Sequence, residues 1–328
     1  MTAPAATDPA DGSEYFHDSL TAPENAPALA EELTNVPTFP IVGVGASAGG
    51  LEAFTQLLKA LPANTGMAFV FIQHLAPSQP SALAEILSRS TKMQVMEVRD
   101  ETTVEPNHVY VIPPDRSMSR AGGALQLLPR EGRGAHHPID RFFRALAQER
   151  RHQAIGVVLS GTASDGTLGL EEIKAEGGIT FAQDTTAQHE GMPQSAIASG
   201  CVDFVMAPGE IAQEIIRICQ HPYATPDGVS QEIENKPNLT EVVQILRRVT
   251  GVDFTGYRYS TLYRRVARRM VFQKMDGLTE YTRLSRSHPA IDWWWMTIRT
   301  PPTVSPCCSG RPSPHERGWV QPPSRQTT

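Results

Sequence analysis

The stretch PIVGVGASAGGLEAFTQLLKAL, residues 40–61, joins a short apolar run to an amphipathic segment through a glycine-rich turn. Residues 40–47 predict a buried strand with its turn, and residues 50–61 predict a helix. Apolar side chains in that helix recur three and four residues apart and share one face: Leu51, Phe54, Leu57, Leu58 and Leu61. A strand followed by a turn and a helix is the unit from which α/β folds are built.

The same alternation of apolar strands and amphipathic helices continues to residue 220. The next strand-like segments are MAFVFIQHL, QAIGVVLSG and GITFAQD, at residues 67–75, 153–161 and 178–184, and helix-like segments cover residues 81–90, 138–150, 165–177 and 209–220. Strands that are apolar throughout are buried on both faces, which predicts a doubly wound, mostly parallel sheet with helices on both faces. Such α/β sheets bind ligands beyond the carboxyl ends of their strands, so catalytic side chains are expected there.

The composition narrows the class of protein. The chain has 328 residues and a formal net charge of −6, so no overall basic field favours nucleic acid as a partner. Its N-terminus lacks the pattern of a signal peptide, and no apolar run reaches the roughly 20 residues that span a bilayer. Four cysteines, Cys201, Cys219, Cys307 and Cys308, lack the C-x-x-C spacing of metal or redox sites. We expect a reduced, cytoplasmic protein without a metal site, a nucleic-acid partner or direct membrane insertion.

The segment GASAG, residues 45–49, matches the pattern G-x-S-x-G between a predicted strand and a predicted helix. Flanking glycines allow a sharp turn that presents the hydroxyl of Ser47 at the helix N-terminus. Backbone N–H groups and the helix dipole at that end can stabilise an oxyanion. The motif therefore indicates a nucleophilic serine, although glycine-flanked serines also occur in phosphate-binding loops.

The same segment has an alternative interpretation as a dinucleotide-binding turn. Gly43, Gly45 and Ala48 fit the pattern G-x-G-x-x-A. That interpretation requires an acidic residue at the end of the next strand to bind the ribose. The next strand ends in Gln73 and His74 instead, so the dinucleotide interpretation is disfavoured.

Two further strand ends carry the other residue types of a serine hydrolase. His74 ends FVFIQH, and Asp165 follows the strand GVVLSG. A histidine beside Ser47 can accept the serine proton, and a carboxylate can orient the imidazole. Taken alone, His74 can be an ordinary strand-end residue and Asp165 a helix N-cap. Together the three residues predict a triad, in a chain order that differs from the Ser…Asp…His order of ordinary α/β-hydrolases.

Four segments in the right order carry a family resemblance: VGVGASAGGLEAF, the IQH strand end, SGTASDGTLGL and QHEGMPQSAIASG. Residues 39–220 resemble the catalytic domain of CheB-type protein-glutamate methylesterases. The resemblance implies hydrolysis of glutamate γ-methyl esters on methyl-accepting chemoreceptors, and deamidation of receptor glutamines, without a cofactor. It also implies that Ser47 is the nucleophile, His74 the base and Asp165 the orienting acid.

The chain departs from the usual pattern of that family in two places. The residues before residue 39 are too few for the usual phosphoacceptor receiver domain, so control by phosphorylation in cis is not expected. Thr162 stands where the family commonly has methionine, which is expected to alter the oxyanion pocket or the substrate range. Ala48, Thr162 and Met192 are the candidates for the oxyanion site and the cleft, with packing the more ordinary role for Met192.

A basic segment follows the predicted catalytic domain. Residues 239–284 predict two or three amphipathic helices, and the paired arginines Arg264, Arg265, Arg268 and Arg269 lie one helical turn apart. They form either a solvated helix face or a docking surface for an acidic partner. This segment resembles the N-terminal helical domain of CheR-type methyltransferases. The S-adenosylmethionine-binding domain of such enzymes is not seen after residue 287, so we expect no methyltransferase activity.

These observations predict five segments: a disordered leader (1–37), the methylesterase domain (38–221), a linker (222–236), the helical domain (237–288) and an unstructured or frameshifted tail (289–328). The expected architecture is an α/β domain followed by a small all-α module, from a truncated CheB–CheR fusion. The first functional hypothesis is a serine methylesterase. The alternative is a regulatory binding module that keeps the fold without turnover.

Overall fold

A computed structural model describes most of the two predicted domains. The described residues are 39–74, 82–114, 116–121, 123–129, 137–221, 236–254, 259–275 and 277–287. The predicted leader (1–37), all but one residue of the predicted linker, and the predicted tail (289–328) lie outside them, as do Cys307 and Cys308.

Between residues 41 and 220 the described chain forms strands and helices that alternate, except between residues 94 and 129, where five strands follow one another. The strands are β1 (Ile41–Ala46), β2 (Ala68–Gln73), β3 (Gln94–Glu97), β4 (Thr102–Thr103), β5 (His108–Val111), β6 (Arg116–Ala121), β7 (Ala124–Pro129), β8 (Ala154–Val158), β9 (Ile179–Gln183) and β10 (Phe204–Met206). The helices are α1 (Gly50–Lys59), α2 (Leu83–Ser88), α3 (Pro138–Arg150), α4 (Thr167–Ala175), α5 (Gly191–Ala198), α6 (Pro208–Gln220), α7 (Lys236–Thr250), α8 (Tyr259–Phe272) and α9 (Leu278–Ser287), with a 3₁₀ turn at Arg151–Gln153.

Within the described residues, seven strands form one sheet in the order β10-β9-β8-β1-β2-β5-β3. Every pairing in this sheet is parallel. The chain builds outward from β1 on one side through β2 and on the other side through β8, which places the switch in strand order at β1. The predicted fold class is confirmed, and the crevice expected at such a switch point lies at the carboxyl end of β1.

The two faces of the sheet are covered by different helices. On one face Phe54 of α1 stacks on Phe71 of β2, with ring centroids 4.2 Å apart. On the other face α3 lies so close to β1 that a Cβ added at Gly45 would be 2.3 Å from Ile139. The glycines of β1 therefore let α3 approach the strand backbone, and the side chains on both faces of the sheet are buried.

A small second sheet was not predicted from the sequence. The strands β4, β7 and β6 are antiparallel and form a three-stranded sheet beside the main one. Its hairpin, β6–β7, carries Ser117 and Arg120 among apolar residues and lacks the long apolar runs that marked the parallel strands.

The chain divides into two compact units. Helix α8 belongs to the first unit together with the sheets, whereas α7 and α9 form the second unit. In the second unit α7 and α9 pack together through buried residues including Leu239, Val242 and Tyr281. The helical C-terminal segment was predicted; the inclusion of its middle helix in the first unit was not. No helix among the described residues has the length and hydropathy to cross a bilayer.

Candidate active site

Ser47 lies in the turn between β1 and α1, at the carboxyl end of the central strand. Its backbone N–H donates to the carbonyl of Ser160 at 3.0 Å, and its own carbonyl accepts from Gly50 at 3.0 Å. Gly49 has a φ of +73°, and a Cβ there would lie 2.7 Å from the side chains of both Gln188 and Ser160. Glycine is therefore required for conformation and for space, and the turn holds Ser47 half-buried beside the N-terminus of α1.

His74 is held beside Ser47 by the register of two parallel strands. Ala46 pairs with Gln73, so Ser47 and His74 each follow the last paired residue of neighbouring strands. The N–H of His74 donates to the carbonyl of Ala46 at 3.3 Å, which continues the ladder by one step. Neighbouring strands are about 5 Å apart, so this register brings the hydroxyl and the imidazole to the same edge of the sheet.

Asp165 follows β8, the other neighbour of β1, and reaches the same edge. His74 Nε2 donates to Asp165 Oδ2 at 2.9 Å. The carboxylate also accepts the N–H of Ile139 at Oδ2 and the N–H of Asp140 at Oδ1, each at 3.0 Å. Its side chain is 2 % exposed, against 28 % for His74. The three donors satisfy the buried carboxylate and hold it in the position that orients the imidazole.

The electrostatics of Asp165 suit that task. Burial alone would raise the pKa of the carboxyl, but the hydrogen bonds from His74, Asp140 and Ile139 outweigh it and lower the pKa. The group is therefore ionised at neutral pH and can stabilise an imidazolium. Because Nε2 faces Asp165, Nδ1 is the nitrogen left for the serine proton. Between the described residues Ser47 and His74 there is no hydrogen bond through the hydroxyl, and such catalytic bonds often tighten only in a substrate complex.

The three oxyanion and cleft candidates lie around Ser47 but differ in what they offer. Ala48 and Thr162 are exposed, in the turns that follow β1 and β8. Met192 is buried, and its N–H already donates to the carbonyl of Gly161 at 2.9 Å. A Cβ added at Gly161 would lie 2.2 Å from Met192 Sδ and 2.9 Å from Ser47 Cβ. Met192 is therefore placed as packing behind the serine, while the oxyanion roles of Ala48 and Thr162 stay predictions.

Ser160 is a residue of the site that the sequence interpretation missed. Its hydroxyl donates to the carbonyl of Ala48 at 2.8 Å and accepts the N–H of His189 at 2.9 Å. Its backbone N–H donates to Gln183 Oε1 at 2.9 Å. One buried serine thus connects the turn of Ser47 to the end of β9 and to the loop that carries His189. Its position after a strand was the only sequence signal. The turn that follows contains other serines and threonines, and the sequence does not distinguish Ser160 from them.

Among the described residues, one group of possible metal ligands includes Asp165. Atoms of His137, Asp140 and Asp165 approach within 4.8 Å of one another. Both oxygens of Asp165 already accept N–H donors, and Asp140 Oδ1 accepts the N–H groups of Gly166 and Gly169. The N–H groups direct their positive hydrogens at the oxygens that would bind a cation. The arrangement is therefore that of a hydrogen-bond network.

The four arginines of the predicted basic face on α8 differ in their exposure and in their contacts. Arg268 donates to Asp203 Oδ2 at 2.8 Å and to the carbonyl of Gly178 at 3.0 Å, and its side chain is 12 % exposed. Arg264 is exposed, and Arg265 and Arg269 are partly buried. Arg268 was a candidate for a solvated or docking face, and in the structure its guanidinium instead binds a buried carboxylate of its own unit. A docking role for the other three arginines stays a prediction.

Comparison with known proteins agrees with the motifs. Residues 42–215 match the family model of the CheB methylesterase, and residues 237–291 match that of the all-alpha domain of CheR methyltransferase. An uncharacterized 104.1 kDa protein of Rhodobacter capsulatus is 36 % identical over 225 residues, which are 62 % of this chain and 24 % of that protein. A protein-glutamate methylesterase/protein-glutamine glutaminase of Yersinia pestis is 34 % identical over 199 residues, 59 % of this chain and 57 % of the relative.

A solved structure gives the same result. The crystal structure of the Thermotoga maritima CheB methylesterase catalytic domain superposes with a TM-score of 0.52 at 29 % identity, covering 56 % of this chain and 100 % of that domain. The chain spans about a quarter of the Rhodobacter protein and somewhat over half of the Yersinia esterase. The resemblance predicted from the motifs is confirmed on both segments, and the chain belongs to the CheB methylesterase family.

Proposed function

We propose that this chain is a protein-glutamate methylesterase that hydrolyses glutamate γ-methyl esters on methyl-accepting chemoreceptors and deamidates receptor glutamines. The observation that carries the proposal is the 2.9 Å hydrogen bond from His74 to buried Asp165, at the strand end next to Ser47. Membership of the methylesterase family and the name of the Yersinia relative support the substrate class. Cytoplasmic receptor segments would be the partner.

In the first half-reaction Ser47 Oγ attacks the ester carbonyl carbon while its proton passes to His74 Nδ1. The carbonyl π electrons move onto oxygen, and the resulting oxyanion lies at the N-terminus of α1, between Ala48 and Thr162. Collapse of this intermediate breaks the bond to the methoxy oxygen, which takes the proton from the imidazolium and leaves as methanol. The product is a glutamyl ester of Ser47.

In the second half-reaction water replaces methanol. His74 accepts a proton from the water as its oxygen attacks the acyl carbon, and then returns the proton to Ser47 Oγ as that bond breaks. The receptor glutamate carboxylate and free enzyme result. With a glutamine substrate the same steps release ammonia in place of methanol.

Asp165 supports both proton transfers by its charge. It is ionised and buried, so its attraction for the imidazolium is weakly screened by water. In serine hydrolases of this kind, loss of the orienting carboxylate lowers kcat by about 10⁴-fold. The hydrogen bonds from Ile139 and Asp140 keep the carboxylate in place during the cycle.

The substrate class is tested with receptor fragments. Wild-type protein is mixed with a fragment that carries methyl-esterified glutamate, and with the same fragment carrying glutamine at those positions. Methanol from the first and ammonia from the second are expected, with no methanol from an unmethylated glutamate fragment. Binding of the methylated fragment without release of methanol would overturn the proposal and favour the regulatory binding module.

A further inference from the structure

Reciprocal hydrogen bonds connect the N-termini of α3 and α4 behind the candidate site. Asp165 precedes α4 but accepts the N–H groups of Ile139 and Asp140, in the first turn of α3. Asp140 lies in that first turn but its Oδ1 accepts the N–H of Gly166 at 3.0 Å and of Gly169 at 2.7 Å, at the start of α4. Each carboxylate thus satisfies N–H groups of the other helix, where the partial positive charge of that helix is concentrated.

These reciprocal hydrogen bonds hold α3 and α4 close together. A Cβ added at Gly169 would lie 2.4 Å from Phe143 Cβ and 3.1 Å from Asp140 Cα, so α3 and α4 are in close backbone contact there. Gly166 has a φ of +98°, a conformation that leaves its N–H free to reach Asp140. Because Gly166 follows Asp165 directly in the chain, the hydrogen bond from Gly166 to Asp140 restrains the position of Asp165.

Burial makes these hydrogen bonds costly to lose. Asp140 is 5 % exposed, and a buried carboxylate is tolerated only when its oxygens are paired. Burial raises the pKa of the Asp140 carboxyl, with a further rise from the charge of Asp165, while the N–H groups of Gly169 and Gly166 act in the opposite direction.

We propose that Asp140 is a positioning residue for catalysis: it holds the turn that carries Asp165, and through it the imidazole of His74. This proposal rests on the proposed function, since it assigns Asp140 a part in that reaction. Asp140 contacts neither the substrate nor Ser47 in this role. It acts through its own N–H, bonded to Asp165 Oδ1, and through its carboxylate, bonded to the residue after Asp165 and to α4.

The test compares Asp140→Ala and Asp140→Asn, with Leu170→Ala as control. Leu170 is buried on α4, so its truncation removes apolar packing from that helix and leaves the hydrogen bonds of Asp140 and Asp165 in place. Methanol release from the methylated receptor fragment is measured to give kcat and KM, with thermal unfolding in parallel. Misplacement of a catalytic group by about 1 Å can cost about 10²-fold in rate, so we expect Asp140→Ala to lower kcat by about that factor with KM little changed.

The conservative variant separates positioning from mere stability. The amide oxygen that Asp140→Asn introduces can still accept from Gly166 and Gly169, so this variant should recover most of kcat. Leu170→Ala should lower the melting temperature and leave kcat unchanged. A folded Asp140→Ala enzyme with wild-type kcat would overturn the proposal, and if that variant does not fold, an Asp140→Asn enzyme whose kcat falls only in step with its stability would do the same.

The two proposals fail in different ways. A wild-type protein that releases no methanol contradicts the proposed function itself. An active wild type whose Asp140 variants lose kcat only in step with their stability, as Leu170→Ala does, contradicts the positioning role alone.

Discussion

Asp165 and Asp203 are both buried carboxylates of the first unit, at 2 % and 1 % side-chain exposure, and they differ in what surrounds them. Asp165 is bound by backbone N–H groups and one imidazole. Asp203 is bound by the N–H and hydroxyl of Thr180, by Arg268 at 2.8 Å and by Lys174 at 3.2 Å. One lies beside the switch point at the centre of the sheet, and the other beside the edge strand β10.

Under the proposed function, the difference separates a carboxylate that takes part in the reaction from a structural one. Arginine and lysine keep their charge, so the charge of Asp203 is always balanced by its partners. In the proposed reaction the imidazole of His74 gains and loses a proton, so the attraction of Asp165 for it would vary over the cycle. At Asp203 the cation comes from α8, where Arg268 also lies over the Phe272 ring and Phe272 contacts Phe204 of β10. These contacts pack α8 against the edge strand β10.

The largest expected effect is on the reactive side of the comparison. Asp165→Asn should lower kcat for methanol release by about 10⁴-fold, because the amide cannot stabilise the imidazolium and offers N–H groups to donors. Asp203→Asn serves as the matched control and should retain kcat within a few-fold at a temperature where it is folded. Steady-state kinetics on the methylated fragment measure both. Equal losses of kcat in the two variants would erase the distinction.

At the Asp203–Arg268 pair, the expected effect is on the stability of the fold and not on kcat. Breaking a buried ion pair by removing one partner typically costs about 3–5 kcal/mol, so Arg268→Met should lower the free energy of unfolding by an amount of that order. Urea denaturation measures it. The double variant Asp203→Asn with Arg268→Met should lose less than the sum of the single variants, since neither charge is left alone. Strict additivity would show that the two side chains are not coupled.

A steric change at the serine should have an intermediate effect. Gly161→Ala would place a methyl 2.2 Å from Met192 Sδ and 2.9 Å from Ser47 Cβ. Displacement of Ser47 should lower kcat by about 10²-fold, with a stability loss of about 1–3 kcal/mol from overpacking. Gly209→Ala on α6 is the control, because a Cβ there meets nothing within 4 Å. Wild-type activity in Gly161→Ala would mean that the turn can relax without moving the serine.

The smallest effect concerns stability at acid pH. The pKa of Asp165 is lowered in the folded state, so the ionised carboxylate contributes stability that is present above the unfolded value of about 3.9 and is lost as pH falls through the lower folded value. The stability difference between wild type and Asp165→Asn should therefore shrink when urea unfolding is moved from pH 7 to below about pH 4. A difference that grows toward acid pH would contradict the lowered pKa.

The sequence was sufficient for the parts of the molecule that depend on periodicity. Apolar runs alternating with amphipathic segments predicted the parallel sheet, and the rule that parallel strands end at one edge predicted that Ser47, His74 and Asp165 would meet. The strand register bears this out for neighbouring β1 and β2, and the hydrogen bond does so for His74 and Asp165.

The remaining features depend on contacts between residues far apart in the chain. Asp140 looked like an ordinary acidic residue in a first helical turn, and its bonds to α4, 26 and 29 residues on, have no local signal. Arg268 looked like part of a solvated or docking face because its partner, Asp203, lies 65 residues away. Helix periodicity identifies a basic face, but only the fold shows which charges face inward.

The most direct measurement is methanol release from the methylated receptor fragment by wild type, Ser47→Ala and Ser164→Ala. Ser164 is an exposed serine in the turn before Asp165 and is the matched control. Ser47→Ala should release methanol at least about 10⁴-fold more slowly than wild type, because the nucleophile is gone. Ser164→Ala should stay close to the wild-type rate. Equal release by wild type and Ser47→Ala would contradict the assignment of Ser47 as the nucleophile.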